Sequence, residues 1–340
     1  MSTFWRITLD TNPEDCNLSC TMCEEHSEFS DFMQRLYERT GVKRRRMPFD
    51  MVQKVMEQAA AMGVREIIPS TMGEPLLYRQ MDELLELAKE LGMKVNLTTN
   101  GTFPKRSVED WAERIVPVTS DVKISWNGAT KETTEAVMKG LKFEQAIANV
   151  ERFIAVRDAH HAATGHYCRV TFQLTFMQNN MHELPDIIAL AARLGVDRVK
   201  GHHLWAHFEE IQHLNFKASA QTIDRWNDIV DLAVAAAAKH PRHDGTPVLL
   251  ENITPLLPQN GHAVPHTHEC PFLGKELWVS ATGDISPCCA PDDLRRSLGD
   301  FGNVSERSLA EVVADEAYQD LMRDYRDRPL CSTCNMRKPC

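Results

Sequence analysis

Ten cysteines stand at positions 16, 20, 23, 168, 270, 288, 289, 331, 334 and 340 of the 340-residue chain. All but Cys168 lie near the two ends. Many thiols in a chain without an export signal point to metal or redox chemistry rather than to disulfides. Their segregation predicts two metal sites. Cys16, Cys20 and Cys23 share one short loop, which leaves a tetrahedral zinc site one ligand short unless His26 completes it. The same three thiolates can hold three irons of a 4Fe–4S cluster and leave the fourth iron open to an exogenous ligand. Cys270 and Cys288, followed by the Cys331-Ser-Thr-Cys334 knuckle, make a complete four-thiolate set, suited to zinc or to 4Fe–4S. Cys289 and Cys340 are spare thiols that can replace a ligand, and Cys168 reads as a core residue.

Positioning these loops falls to an alternation of strands and helices. Strands are expected at 5–10, 65–70, 94–99, 121–126, 169–177 and 198–204, several of them nearly continuous apolar runs of the kind buried on both faces of a parallel sheet. Helical patterns cover 48–62, 80–91, 108–115, 131–158 and 183–194, and Gly63, Gly92 and Gly195 follow three of them, where a left-handed cap is wanted. Six β/α units predict a partial (β/α)6 TIM-like barrel, with an open doubly wound sheet as the alternative. In a barrel the chemistry sits on the loops after the strands. The expected division is a barrel over 1–215, a helical connector over 216–265, and a Cys-rich unit over 266–340 with a hairpin at 277–288 and a last helix at 309–325.

Cys16, Cys20 and Cys23 after the first strand resemble the signature of the radical S-adenosylmethionine (radical SAM) superfamily, and further motifs follow in order over 5–205. Thr71-Met72-Gly73-Glu74-Pro75 resembles the Gly-Gly-Glu-Pro motif, with Met72 in place of the first Gly. Asn100 ends the third strand, Ser125 opens a Ser-x-Asn-Gly segment after the fourth, and Lys139-Gly140 with Phe143 stands where Arg-Gly-x-x-Phe is expected. The resemblance implies a SAM-binding 4Fe–4S cluster on Cys16, Cys20 and Cys23, and cofactor contacts from Gly73, Glu74, Asn100, Ser125 and Lys139. It also implies cleavage of S-adenosylmethionine to a 5′-deoxyadenosyl radical that abstracts hydrogen from substrate. The spacing from Cys270 to Cys340 is similar to the SPASM/twitch extension of these enzymes. This implies an auxiliary 4Fe–4S cluster on Cys270, Cys288, Cys331 and Cys334, and, with the chain ending at Cys340, the shorter twitch form. A fully ligated second cluster suits a net oxidation in which it accepts an electron.

The substrate side is expected at the end of the sixth strand, where His202 and His203 are candidate proton acceptors near neutral pH, with His207 close by. His262, His266 and His268 read as a connector leading to Cys270. A formal charge of −10 argues against a general nucleic-acid surface, and no run of 18 apolar residues marks a membrane span. The first residues lack the pattern of a signal peptide, so a cytoplasmic location is expected. Lys43–Arg46 can steer an anionic substrate or a flavodoxin- or ferredoxin-type electron donor. With 15 residues before Cys16, no leader-binding domain is expected there. A small natural-product or sugar-like substrate is the first expectation, peptide modification the second, and a non-catalytic zinc or iron–sulfur protein the rival from another class.

Overall fold

The computed structural model describes residues 4–70, 72–256, 264–334 and 336–339. Thr71, His262 and Cys340 lie outside them. All six expected strands form: β1 Arg6–Leu9, β2 Glu66–Ile68, β3 Lys94–Thr99, β4 Thr119–Ser125, β5 Arg169–Phe176 and β6 Arg198–His203. Three more join the same sheet, β7 Leu249–Glu251, β8 Glu276–Val279 and β9 Ile285–Ser286, in the order β9-β8-β1-β2-β3-β4-β5-β6-β7. Strands β1 to β6 follow one another without reversal and all pair in parallel. A doubly wound sheet reverses its strand order at a switch point, so the singly wound TIM-like arrangement is the one formed. The sheet keeps two edges, β7 and β9.

The helices α1 Phe32–Thr40, α2 Phe49–Ala61, α3 Met81–Glu90, α4 Val108–Ile115, α5 Lys131–Val137, α6 Phe143–Thr164, α7 Leu184–Leu194 and α8 Ala220–Lys239 accompany the strands. Helix α7 shows why they form. Pro185 stands in its first turn, Gly195 closes it at φ 82°, and Leu184, Ile187, Ile188, Ala191 and Leu194 are buried along one stripe. Each such aliphatic contributes roughly 1.5–3 kcal/mol by leaving water. Gly63 and Gly92 take the expected left-handed conformation as well. The helix expected over 131–158 is two helices, because Met138–Lys139 leaves the helical path to pair with Ser19–Cys20. The last helix is also two, 309–314 and 316–324, broken where Asp315 turns extended and caps the second.

The inner faces of the strands depart from the apolar expectation. Val122, Ile124, Val170, Phe172 and Leu174 are fully buried toward the helices, whereas the alternate positions carry Asp121, Lys123, Thr171 and Gln173. Arg6 reaches Glu66 at 2.7 Å and Glu276 at 3.3 Å, Asn96 and Ser120 also donate to Glu66, and Arg198 pairs with Asp121 and, at 2.6 Å, with Glu251. Burying these charges is tolerable because each has a hydrogen-bonding partner. Two of these contacts, Ser120 to Glu66 and Arg198 to Asp121, skip a strand, which fits a sheet curled around a polar interior.

The expected connector contains α8 and also β7, which pairs in parallel with β6. The expected hairpin forms as β8 and β9, turning at Gly283 with φ 90°, and β8 lies parallel to β1 with Glu276 beside Arg6. The Cys-rich segment is thereby hydrogen-bonded onto the barrel edge.

Candidate active site

Three supports hold the first cysteine loop. Gly73 packs so tightly that a Cβ there would lie 2.5 Å from the carbonyl oxygen of Asn12 and 2.8 Å from that of Pro13, and its φ of 72° disfavours any side chain. Glu74 N donates to Asp15 O at 2.7 Å, and Asn12 Nδ2 to Glu74 O at 2.9 Å. The second support is Asn100, whose Nδ2 donates to Asn17 Oδ1 at 2.9 Å and lies 3.9 Å from Cys16 Sγ. The third is the strand pair Ser19–Cys20 with Met138–Lys139, extended by Thr21 N to Val137 O at 2.9 Å.

Glu74 is wholly buried, and its carboxylate accepts from Leu76 N at 3.2 Å, Thr99 Oγ1 at 2.8 Å and Asn100 N at 2.7 Å. Burial raises its pKa to about 7 against the pull of those donors. Both oxygens are occupied, so Glu74 locks the Gly73 turn to the end of β3. Ser125 is half-buried at the C-terminal end of β4. Lys139 pairs with an exposed Glu28 carboxylate on the outside of the cysteine loop. The alternation of β6 separates its two histidines. His202 faces the barrel interior, with Nδ1 3.5 Å from Gln173 Nε2, and burial followed by the Lys200 charge lowers its pKa. His203 points the other way and packs on Trp226 at 4.7 Å and Phe176 at 5.4 Å, with its pKa down to about 3 by burial. Of the two histidines, His202 therefore lines the cavity, whereas His203 packs among aromatic side chains.

The Lys43–Arg46 run is also placed differently from its expected steering role. Arg45 is buried against Glu14 and reaches Glu25 at 3.5 Å, while Arg46 forms two bonds to Asp15 at 2.7 and 3.1 Å and Arg44 adds one at 3.1 Å. These arginines clamp the carboxylates flanking the cysteine loop, a role invisible in a charge run alone.

At the C-terminal end, the thiols of Cys270, Cys288, Cys331 and Cys334 lie near enough to influence one another, and Cys289 shares a hydrogen bond with Cys288. Leu273 N donates to Cys270 Sγ and Ala290 N to Cys288 Sγ, both at 3.4 Å. Buried Arg337 ties the segment together through the carbonyl oxygens of Pro265 at 2.8 Å, His268 at 2.7 Å and Cys331 at 3.2 Å. Tyr318 and Tyr325 hydroxyls accept from Gly274 N and Cys270 N. Cys168 is fully buried at the foot of β5.

Both cysteine sets fit iron–sulfur clusters. Burial pushes the Cys16 and Cys20 thiols up and Cys23 to about 12, so thiolates there require a strong cationic partner such as cluster iron. His26, the candidate fourth zinc ligand, turns its Nε2 to Pro13 O at 2.9 Å. Among the described residues no three His, Cys, Asp or Glu side chains converge on a single-ion site. A cavity of about 460 Å³ is lined by residues from both ends of the chain and from the barrel strands. Met22, Cys23 and Met72 line one end, Cys289 and Met336 the other, and Arg6, Lys123, Gln173, Lys200 and His202 its floor.

The radical SAM superfamily model matches residues 13–191, more than half of the chain. This chain belongs to the radical SAM superfamily. Residues 270–335 match SPASM, an iron–sulfur cluster-binding domain, which supplies the second cofactor. The chain is 28% identical over 332 residues to the PqqA peptide cyclase of Gluconobacter oxydans, covering 95% of this chain and 80% of the relative. It is 21% identical to the tungsten-containing aldehyde ferredoxin oxidoreductase cofactor-modifying protein of Pyrococcus furiosus, covering 96% and 86%. Among solved structures, Streptococcus suis SuiB bound to S-adenosylmethionine superposes with a TM-score of 0.68 at 17% identity, covering 99% of this chain and 73% of SuiB. The radical SAM enzyme uses S-adenosylmethionine and iron–sulfur clusters. No helix among the described residues is long and apolar enough to cross a membrane.

Several site residues escaped the sequence reading. Arg337 and Lys123 sit in otherwise ordinary charged or strand contexts. Glu183 accepts from Ala129 N at 2.6 Å, Thr130 Oγ1 at 2.7 Å and Thr133 Oγ1 at 2.6 Å, and so fixes the loop after Ser125. The acidic residue two turns from any motif carried no local signal of this.

Proposed function

We propose that this radical SAM enzyme oxidises a peptide held in the cavity between its two cysteine sets. The cavity carries the reading: one substrate placed there touches the Cys23 rim and the Cys289 rim together. Peptide as the substrate class is supported by the relatives named PqqA peptide cyclase and by the fold shared with SuiB, also solved with its precursor peptide SuiA. This reverses the order in which composition and chain layout placed the two substrate classes.

Cys16, Cys20 and Cys23 hold the SAM-binding cluster, and Cys270, Cys288, Cys331 and Cys334 the auxiliary one. When bound, these groups supply a 5′-deoxyadenosyl radical and an electron acceptor. Gly73, Asn100 and Ser125 form the edge against which the cofactor lies, with Glu74 holding the turn. His202, whose ring lines the cavity, accepts the proton that the oxidised substrate releases. A flavodoxin- or ferredoxin-type protein supplies the priming electron. The expected outcome after anaerobic reconstitution is about eight irons per chain. Dithionite and S-adenosylmethionine should then yield 5′-deoxyadenosine. Peptides encoded beside the gene should lose hydrogen mass in a SAM-dependent way. Turnover of small molecules but of no peptide overturns the substrate class, and absence of 5′-deoxyadenosine overturns the whole assignment.

A further inference from the structure

The floor of the cavity holds one cation that the fold does not explain. The carboxylates on the strands around it are engaged by other cations: Glu66 and Glu276 bond Arg6, Asp121 bonds Arg198, and Glu251 bonds both Arg198 and Lys200. Lys123 has no hydrogen bond or ion pair among the described residues, yet its side chain comes from the inner face of β4 and lines the cavity. Its surroundings also include Arg6 and Lys200, which repel it, and Asp121 and Glu66, which attract it from neighbouring strands. An amine that leaves water without a partner costs free energy, and a carboxylate ligand restores that loss through a charge-assisted hydrogen bond.

We infer that Lys123 anchors a carboxylate of the substrate on the cavity floor and so selects which part of a peptide reaches the Cys16–Cys23 rim. This rests on the peptide reading given above. Ser125 stands one inward position further along β4, at its C-terminal end, and Cys23 lines the same cavity as Lys123, so a group held on Lys123 shares one space with the Cys23 rim. The carboxylate can be an acidic side chain or a free C-terminus.

Equilibrium dialysis of the anaerobically reconstituted holoenzyme, with saturating S-adenosylmethionine, tests this using three probes: acetyl-Gly-Glu-Gly-amide, acetyl-Gly-Gln-Gly with a free C-terminus, and neutral acetyl-Gly-Gln-Gly-amide. One of the two carboxylate probes should bind about ten-fold more tightly than the neutral one, and which does so identifies the source. Lys123→Met should abolish the preference while leaving the neutral probe unchanged, and Lys123→Arg should retain it. Equal binding of all three probes by the wild type overturns the inference whether or not a variant folds. So does a preference that survives in Lys123→Met, or a variant that weakens S-adenosylmethionine instead. None of these outcomes alters 5′-deoxyadenosine formation by the wild type, so failure here is distinct from failure of the proposed function.

Discussion

The two cysteine regions reach the same cavity by opposite construction. The N-terminal loop is built from backbone: carbonyl oxygens of Asn12 to Asp15 crowd Gly73, and a two-residue strand pair pins Cys20. Its charges are balanced from outside by Arg44, Arg45 and Arg46. The C-terminal segment is built from side chains: Arg337 gathers three carbonyl oxygens, Tyr318 and Tyr325 cap two amides, and β8 leans on β1. A loop with three thiols and a rigid backbone leaves one coordination position for a ligand. On the proposed ligand assignment, a segment with four thiols would close its cluster and leave it electron transfer alone. The contrast teaches that ligand count, more than loop position, separates the reactive site from the auxiliary one.

The sharpest break is Cys20→Ala. It should abolish 5′-deoxyadenosine formation and drop iron from about eight to about four per chain, read by iron assay and chromatography. Cys331→Ala should leave cofactor cleavage running while product falls by about a hundred-fold or more, since the substrate radical would lack an acceptor for its electron. Arg45→Met strands the buried carboxylates of Glu14 and Glu25 and should cost about 3–5 kcal/mol in chemical denaturation, with iron lost first from the N-terminal site. Arg337→Met should cost about 2–3 kcal/mol and loosen only the C-terminal segment, seen as faster amide exchange in residues 265–339 with cofactor cleavage intact. Equal effects of these two substitutions on both sites would erase the distinction drawn here. The smallest effect concerns pH. Burial pushes Lys123 down to about 8, with Asp121 opposing and Lys200 and Arg6 assisting. Deprotonation above that value removes the positive charge, so carboxylate-probe affinity should fall by roughly ten-fold between about pH 7 and pH 9 while neutral-probe affinity stays level. The Lys123→Arg variant should lose this dependence.

The domain limits expected from sequence, 1–215, 216–265 and 266–340, are retained as a proposal for functional units, although β7 and β8 weave the second and third into the barrel sheet. Strand and helix positions were legible because apolar periodicity and glycine caps are local signals: Val108–Ile115 and Lys94–Thr99 appear at their expected bounds. The break at Met138–Lys139 was not, because its cause is a partner more than a hundred residues away.

The amino-acid sequence by itself determined the chemistry: three thiols on one loop after β1, six more at the far end, and ordered motifs along a β/α chain. Thiol number and spacing are covalent properties, so no fold is needed to read them. Tertiary structure alone decided which charged groups serve as scaffold and which face substrate. Strand alternation turned His202 inward and His203 into the aromatic core. Curling of the sheet supplied partners for Arg6, Arg198 and Lys200 and left Lys123 without a hydrogen bond or ion pair among the described residues. Such pairings depend on distances across the barrel, and distances across a barrel are set only when the sheet closes.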